Sequence, residues 1–459
     1  MQLGGKKMKY DFSKMTNRYN TNSLKWDVKD HELPMWVADM DFEVAPEIKN
    51  ALLKRVEHGI FGYNVVSDEF YQSIQNWWLK YHHFKLEKNW LMFCTGVVPA
   101  ISSIVRKLTT VGENILIQAP VYNIFYNSIL NNGRNVLSSD LIYDGKEYHI
   151  DFDDLEQKLS LPQTTMMILC NPHNPIGKIW DYDTLKRIGE LCKKHHVLVV
   201  SDEIHCDITA LDKEYIPFAS INQTNRDLSI TCISPTKAFN LAGLQVACIS
   251  VANPVLYQKV NRAINTDEIA EPNSFAIYAT IAAFNHGKAW LDELRKYIDT
   301  NKKIVVDYLQ KYIPELYVIP SEATYLLWID CSKISQNSVE LVQYIREKTG
   351  LYLSDGLEYG KNGRSFIRMN IACNQERVMD GLKRLQKGIE LYQTRSISFD
   401  KLHEFEDMIN LELLYNKTTK EIMDQYYLQK NNQIENEFML TQMEMQTIDS
   451  LVGIVSEEM

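Results

Sequence analysis

The sequence predicts an α/β protein with a mainly parallel sheet in a large domain, a smaller α+β domain, and a helical C-terminal extension. Three observations predict this class. Residues 114–119 (NILIQA), 165–170 (TMMILC), 197–203 (VLVVSDE), 229–234 (SITCIS) and 246–251 (VACISV) are short apolar runs separated by helix-patterned stretches. Within the runs the apolar residues are continuous rather than alternating, as in strands buried on both faces. In the stretch 182–196, Leu185, Ile188, Leu191 and Cys192 share one helical face, which suits a crossover helix between parallel strands.

The first 45 residues, with LPMWVADMDF at 33–42, carry few helix signals and form an extended arm that also contributes to the small domain. Residues 46–285 hold the alternating pattern and constitute the large domain. Residues 286–392 form the small domain. There, helical patterns at 297–313, 337–350 and 376–392 enclose the strand-like segments EATYLLWID (322–330) and SFIRMNIA (365–372), and Gly350 stands where a helix would end. Residues 393–459 are rich in Met, Glu and Gln and lack proline. Their Ile434, Phe438, Thr441, Met445, Ile448 and Val452 alternate four- and three-residue spacings, the pattern of an amphipathic helix that packs on its own domain or docks a protein partner, with partial disorder the remaining reading.

Composition removes several function classes. Charged residues at 24% and hydrophobic residues at 45% are ordinary for a soluble protein. No apolar run approaches the roughly 18 residues of a membrane span, and no apolar stretch succeeds the basic N-terminus, so neither membrane association nor a secretory signal is expected. The eight cysteines are scattered, without a Cys-x-x-Cys pair or a zinc-spaced His/Cys cluster. That predicts no metal and a reduced, cytoplasmic protein. The net charge is −10, and residues 391–459 hold five Lys/Arg against thirteen Asp/Glu. A near-neutral body with an acidic tail argues against nucleic-acid binding.

Ligands of open α/β sheets sit beyond the carboxyl ends of the strands. The loops that leave the apolar runs are therefore the informative ones. They are APVYNIF (119–125), NPHNPIG (171–177), DEIHCD (202–207) and SPTK (234–237). Together they bring Tyr122, Asn174, Asp202, His205, Ser234 and Lys237 to one edge. Taken singly, each has a plain structural role open to it: turn chemistry for Asn174 and Ser234, a cap for Asp202, packing for Tyr122, a snorkelling stem for Lys237. Their concentration favours a site. Upstream, CTGVVPAISSIVRKL (94–108) is a glycine turn entering a helix, whose first N–H groups suit a phosphate.

The motifs FGYNVVSDEFY (61–71), TGVVPAI (95–101), APVY (119–122), CNPHNPIGKIW (170–180), SDEIHCD (201–207), KAFNLAGL (237–244), EATYLLW (322–328) and FIRMNIAC (366–373) resemble the fold-type I pyridoxal-phosphate enzymes. More narrowly, they are similar to the MalY/PatB branch, the cystathionine β-lyase or cysteine C–S lyase group among the class I/II aminotransferases. The resemblance spans roughly residues 10 to 390 and leaves out the tail.

It implies pyridoxal 5'-phosphate as cofactor and an amino acid as small-molecule substrate. Lys237 would bind the cofactor covalently and act as acid and base at the substrate Cα. Asp202 would keep the pyridine nitrogen protonated, Asn174 would hydrogen-bond the phenolic oxygen, and His205 would support them. Tyr122 would stack on the ring. Gly96, Val97, Val98 and Ser234 would cradle the phosphate, and Tyr63 would reach a neighbouring subunit's phosphate and substrate in a homodimer. Arg368 would fork onto the substrate carboxylate. Two departures stand out: Gln245 occupies the position where the broader aminotransferase pattern has a phosphate-binding arginine, and Thr236 replaces the usual serine before the lysine. The implied reaction is β-elimination from L-cystathionine, L-cysteine or S-alkyl cysteines to a thiol, pyruvate and ammonia. An aminotransferase is the alternative, and a regulatory, protein-binding role is a further one.

Overall fold

The computed structural model describes residues 9–395, together with the backbone of a short antiparallel pair, Gln2–Leu3 with Lys6–Lys7. The expected C-terminal helix at 434–452 lies outside the described residues.

The principal sheet has seven strands: β1 (Leu91–Cys94), β2 (Asn114–Ile117), β3 (Asn135–Ser138), β4 (Thr164–Cys170), β5 (Leu198–Asp202), β6 (Ser229–Ile233) and β7 (Ala247–Ser250). They lie in the order β1-β7-β6-β5-β4-β2-β3. From β6 to β3 all pairings are parallel, while β7 runs antiparallel to both of its neighbours. All five apolar runs are strands. The sequence pattern did not single out β1 or β3. Strand β3 lies at the sheet edge with no fully buried residue, so it has no need of an apolar run, and β1 is four residues ending just before the Gly96 turn.

Burial on both faces explains the continuous apolar runs. Met166, Ile168 and Val200 pack with Ile101, Ile104 and Val105 of helix α1 (Val97–Leu108) on one face. Met167, Leu169 and Val199 pack with Leu185, Ile188 and Cys192 of helix α2 (Tyr182–Lys194) on the other. Alternate residues of one strand thus feed two cores. Helix α2 starts where Asp181 Oδ1 accepts the Thr184 N–H at 2.7 Å, an N-cap bond.

A second sheet is antiparallel, with β8 (Tyr317–Val318), β9 (Leu326–Asp330), β10 (Ser354–Asp355) and β11 (Phe366–Asn370) in the order β8-β9-β11-β10. Helices α3 (Lys288–Tyr312), α4 (Ser338–Thr349) and α5 (Gln375–Thr394) accompany it. Gly350 ends α4 with φ of 72°, the left-handed cap that glycine adopts without strain. Trp328 on β9 stacks on Phe366 with ring centroids 5.2 Å apart and donates its indole N–H to Tyr148 Oη at 3.1 Å. Being almost wholly buried, it carries much local stability. Trp328→Ala should cost about 3–5 kcal/mol of unfolding free energy, read from the denaturant midpoint.

The arm folds against both sheets. Asp41 is buried and receives Lys25 Nζ at 3.1 Å, Arg18 Nη1 at 2.8 Å and Trp26 Nε1 at 2.9 Å. Burial alone would raise its carboxyl, but Lys25, Trp26, Arg377 and Arg18 outweigh that and hold it below its ordinary value. Further along, Asn240 receives the Met40 N–H at 3.0 Å and donates to Met40 O and Phe42 O, each at 3.0 Å. Asn370 Nδ2 donates to Asp39 O at 2.7 Å. Residues 36–42 are thereby pinned between the Lys237 loop and β11.

Candidate active site

Strand register decides which side chains meet. Asp202, the last residue of β5, pairs with Cys170 on one side and Cys232 on the other. The chain leaves β4, β5 and β6 at one level, and the three loops open onto a shared cavity of about 280 Å³. Gly96, Val97, Val98, Tyr122, Asn174, Asp202, His205 and Lys237 line it, joined by Ala38, Thr95, Thr236 and Gln245.

Lys237 Nζ donates to the carbonyl of Ala38 at 2.7 Å. Burial, then the charge of Arg368, bring its amine down to about 8, while Asp39 and Asp202 pull the other way. Burial pushes the Asp202 carboxyl up to about 6, against the Ile204 N–H, which reaches Oδ1 at 3.1 Å, and against Lys237. His205 is held neutral: burial, Lys237 and Arg368 together lower its imidazole to about 3. Its Nδ1 is buried and makes no hydrogen bond among the described residues. The Tyr122 hydroxyl is pushed up to about 12 by burial and Asp202, with Arg368 opposing. Depressed amine and elevated carboxyl in one cavity mark a site built for proton transfer rather than a surface ion pair.

Arg368 stands on β11 and is not on the cavity lining. Its Nη1 donates to Asn174 Oδ1 at 3.3 Å and its Nη2 to Trp36 O at 2.8 Å, with the guanidinium 4.8 Å from the Tyr359 ring centre. Occupying Oδ1 in this way leaves Asn174 Nδ2 as a donor toward the cavity. Arg368 Nε is buried without a hydrogen-bond partner among the described residues.

Gly96 precedes α1, and the N–H groups of Val97 and Val98 in its first turn have no acceptor within the helix. Ser234 is elsewhere. Its hydroxyl donates to Val246 O at 2.7 Å and touches Thr236 Oγ1 at 2.7 Å. Thr236, not Ser234, borders the cavity. Tyr63 is fully exposed and lies apart from the cavity.

The donor set fits a phosphorylated pyridine aldehyde. A lysine amine near neutrality, a buried carboxylate, an amide donor, an aromatic face and a helix N-terminus border one volume. Sequence reasoning missed Ala38 and Trp36, which act through main-chain carbonyls that no side-chain pattern reveals. It also gave no role to Tyr325, whose hydroxyl shares the Ala38 carbonyl at 3.0 Å; its place in the quoted EATYLLW motif was the available signal.

Comparison with known proteins agrees. "Cystathionine beta-lyase PatB" of Bacillus subtilis (strain 168) is 38% identical over 386 residues, covering 83% of this chain and 100% of the relative. "Protein MalY" of Escherichia coli (strain K12) is 32% identical over 388 residues, covering 83% and 99%. The crystal structure of the PLP-bound C-S lyase from Staphylococcus hominis superposes with a TM-score of 0.78 at 32% identity, covering 83% of this chain and 99% of that one. The sequence model of the family "Aminotransferase class I and II" matches residues 34–385, and with a mainly parallel sheet carrying this cavity at its carboxyl edge, the chain belongs to that family.

Proposed function

We propose that the chain is a carbon–sulfur lyase that uses pyridoxal 5'-phosphate to eliminate the sulfur substituent from L-cystathionine, L-cysteine or a related S-substituted cysteine. With water, the products are a thiol, pyruvate and ammonia. The observation that carries this reading is the convergence of Lys237, Asp202, Asn174 and Tyr122 on one cavity in a chain similar to proteins named cystathionine beta-lyase. When bound, the cofactor supplies an aldehyde for the substrate amine and a pyridine ring that accepts the electron pair left at Cα.

The chain's residues do the rest. Lys237 would hold the cofactor through its amine and act as the base for the Cα proton; an amine brought down to about 8 is partly neutral at physiological pH. Asp202 would hold a proton on the pyridine nitrogen. Tyr122 would present a ring face, and Asn174 Nδ2, oriented by Arg368, would donate to the phenolic oxygen. Val97 and Val98 N–H groups would meet the phosphate, with Thr236 bordering it and giving its hydroxyl proton to Ser234 Oγ, whose own proton goes to Val246 O. His205, neutral and buried, borders the cavity near the place of the ring without adding a charge.

Arg368 lies behind Asn174, beside the cavity lining, and would meet the substrate carboxylate with its unpartnered Nε–H and the N–H groups that its bonds to Asn174 and Trp36 leave over. Arg368→Ala should raise KM for L-cystathionine about ten- to hundredfold, the weight of charge-assisted hydrogen bonds, with a smaller effect on kcat. Steady-state kinetics on both parameters checks this.

Tyr63, on the same reading, serves the site of a second copy in a homodimer. Residues 46–285 form the cofactor-binding domain, and 286–392 with the arm form the small one. Eight free, buried cysteines fit a reducing cytoplasm. Among the described residues no helix is long and apolar enough to cross a membrane. The function is tested by pyruvate release from L-cystathionine without any keto-acid acceptor. Sustained release supports the lyase. Amino transfer only when a keto acid is supplied, with no pyruvate, overturns it.

A further inference from the structure

We propose that Gln245 is the specificity-determining residue at the phosphate end of the cavity, and that this chain holds the cofactor phosphate with neutral donors rather than with a cation of its own. The inference rests on the reading that pyridoxal phosphate binds here. It goes further by naming what recognises the phosphate and how salt acts on that recognition.

Three observations carry it. Gln245 closes the short turn at Ala242–Leu244 in a left-handed conformation, φ 51° and ψ 70°, and it lines the cavity beside Thr95, Gly96 and Val97. The turn is braced from outside by Asn273 Nδ2, which donates to Leu244 O at 2.7 Å. The Gln245 side chain is exposed and makes no hydrogen bond among the described residues, so its amide is free to donate. Lastly, among the described residues lining the cavity Lys237 is the one cation, and its amine serves the aldehyde end. Arg368 lies behind Asn174, while Arg106 of α1 is at the far end of its helix and pairs with Asp267.

A phosphate dianion here would meet the positive end of α1, worth about half a charge, with its Val97 and Val98 N–H groups, and the neutral donor Gln245. Neutral donors bind through geometry and short-range hydrogen bonds. Their contribution is insensitive to salt, whereas that of an arginine at an exposed position is screened. An amide at 245 therefore gives a modest affinity that holds across ionic strength.

The experiment titrates the apo-enzyme with pyridoxal phosphate, and separately with pyridoxal, which lacks the phosphate, at low and high sodium chloride. Wild type, Gln245→Ala, Gln245→Glu and Gln245→Arg are compared. Expected results are a weakening for pyridoxal phosphate of about three- to tenfold in Gln245→Ala and more in Gln245→Glu, from losing one hydrogen bond and then adding repulsion. Pyridoxal binding should stay unchanged. Gln245→Arg should bind pyridoxal phosphate about three- to tenfold tighter at low salt and lose that gain at high salt. Equal affinities for all four proteins, or a wild-type salt dependence as steep as that of Gln245→Arg, overturns the inference while leaving the cofactor assignment intact. No binding of pyridoxal phosphate by wild type overturns both.

Discussion

Lys237→Ala should abolish β-elimination, with pyruvate release from L-cystathionine falling at least about 10⁴-fold. The magnitude comes from removing two roles at once: an acid/base group is worth about 10²–10⁴ on its own, and covalent attachment adds to it. Borohydride should no longer fix the cofactor to the chain. The fold should survive, because Lys237 borders the cavity rather than the packed core and its single side-chain hydrogen bond goes to the Ala38 carbonyl, which Tyr325 also contacts. A pH profile adds a second readout. Burial and Arg368 disfavour the ammonium form, and only the neutral amine accepts a proton. For wild type, kcat should therefore rise with pH toward about 8 and level off above it. Activity within tenfold of wild type in Lys237→Ala, or a kcat that falls as pH rises toward 8, would reject Lys237 as the proton acceptor.

Why much of the site was legible in the sequence, and part was not, has a physical basis. Strands buried on both faces leave continuous apolar runs, and the chemistry-bearing residues come directly where those runs stop. Parallel register then brings the loops level, as the pairing of Asp202 with Cys170 and Cys232 illustrates. Lys237, Asp202, Asn174 and Tyr122 were visible for that reason.

The arm was harder. Lys237 and Ala38 are 199 residues apart, and Arg368 and Trp36 are 332 apart. Both contacts use carbonyl oxygens that every residue possesses. Strand β7 is the antiparallel exception in the mainly parallel sheet, and an apolar run carries no direction that could mark it. Ser234 and Thr236 both offer hydroxyls, and only the backbone turn decides which one faces the cavity. In this structure Ser234 turns to the Val246 carbonyl, while Thr236 borders the cavity and is tied to Ser234 Oγ. The role proposed for Tyr63 calls for a second copy, and residues 396–459 lie outside the described ones.

Asp202→Asn should lower kcat by about 10²–10³-fold while leaving the protein folded, the scale seen when a preorganised electrostatic partner is removed. Asparagine matches the carboxylate in shape and keeps an oxygen to accept the Ile204 N–H, so the turn after β5 is preserved. What is lost is the charge. Asp202 lies at the buried end of a central strand, where an ionised carboxylate is costly unless a cation faces it: burial pushes its carboxyl up to about 6, and Lys237 offsets this only in part. A protonated pyridine nitrogen facing it would supply that cation and be stabilised in turn, which makes the carboxylate worth its burial. Asparagine cannot hold that proton, so the electron pair at Cα finds a poorer sink, and kcat falls more than KM rises. Chemical rescue separates this account from simple damage. In Asp202→Ala, which leaves room beside the nitrogen, a cofactor analogue methylated at the pyridine nitrogen carries a permanent positive charge and should recover at least about tenfold of the lost rate. No loss of kcat in Asp202→Asn would reject the carboxylate as the partner of the cofactor's charge, and a lowered melting temperature without rescue in Asp202→Ala would mean that it holds the strand end together instead.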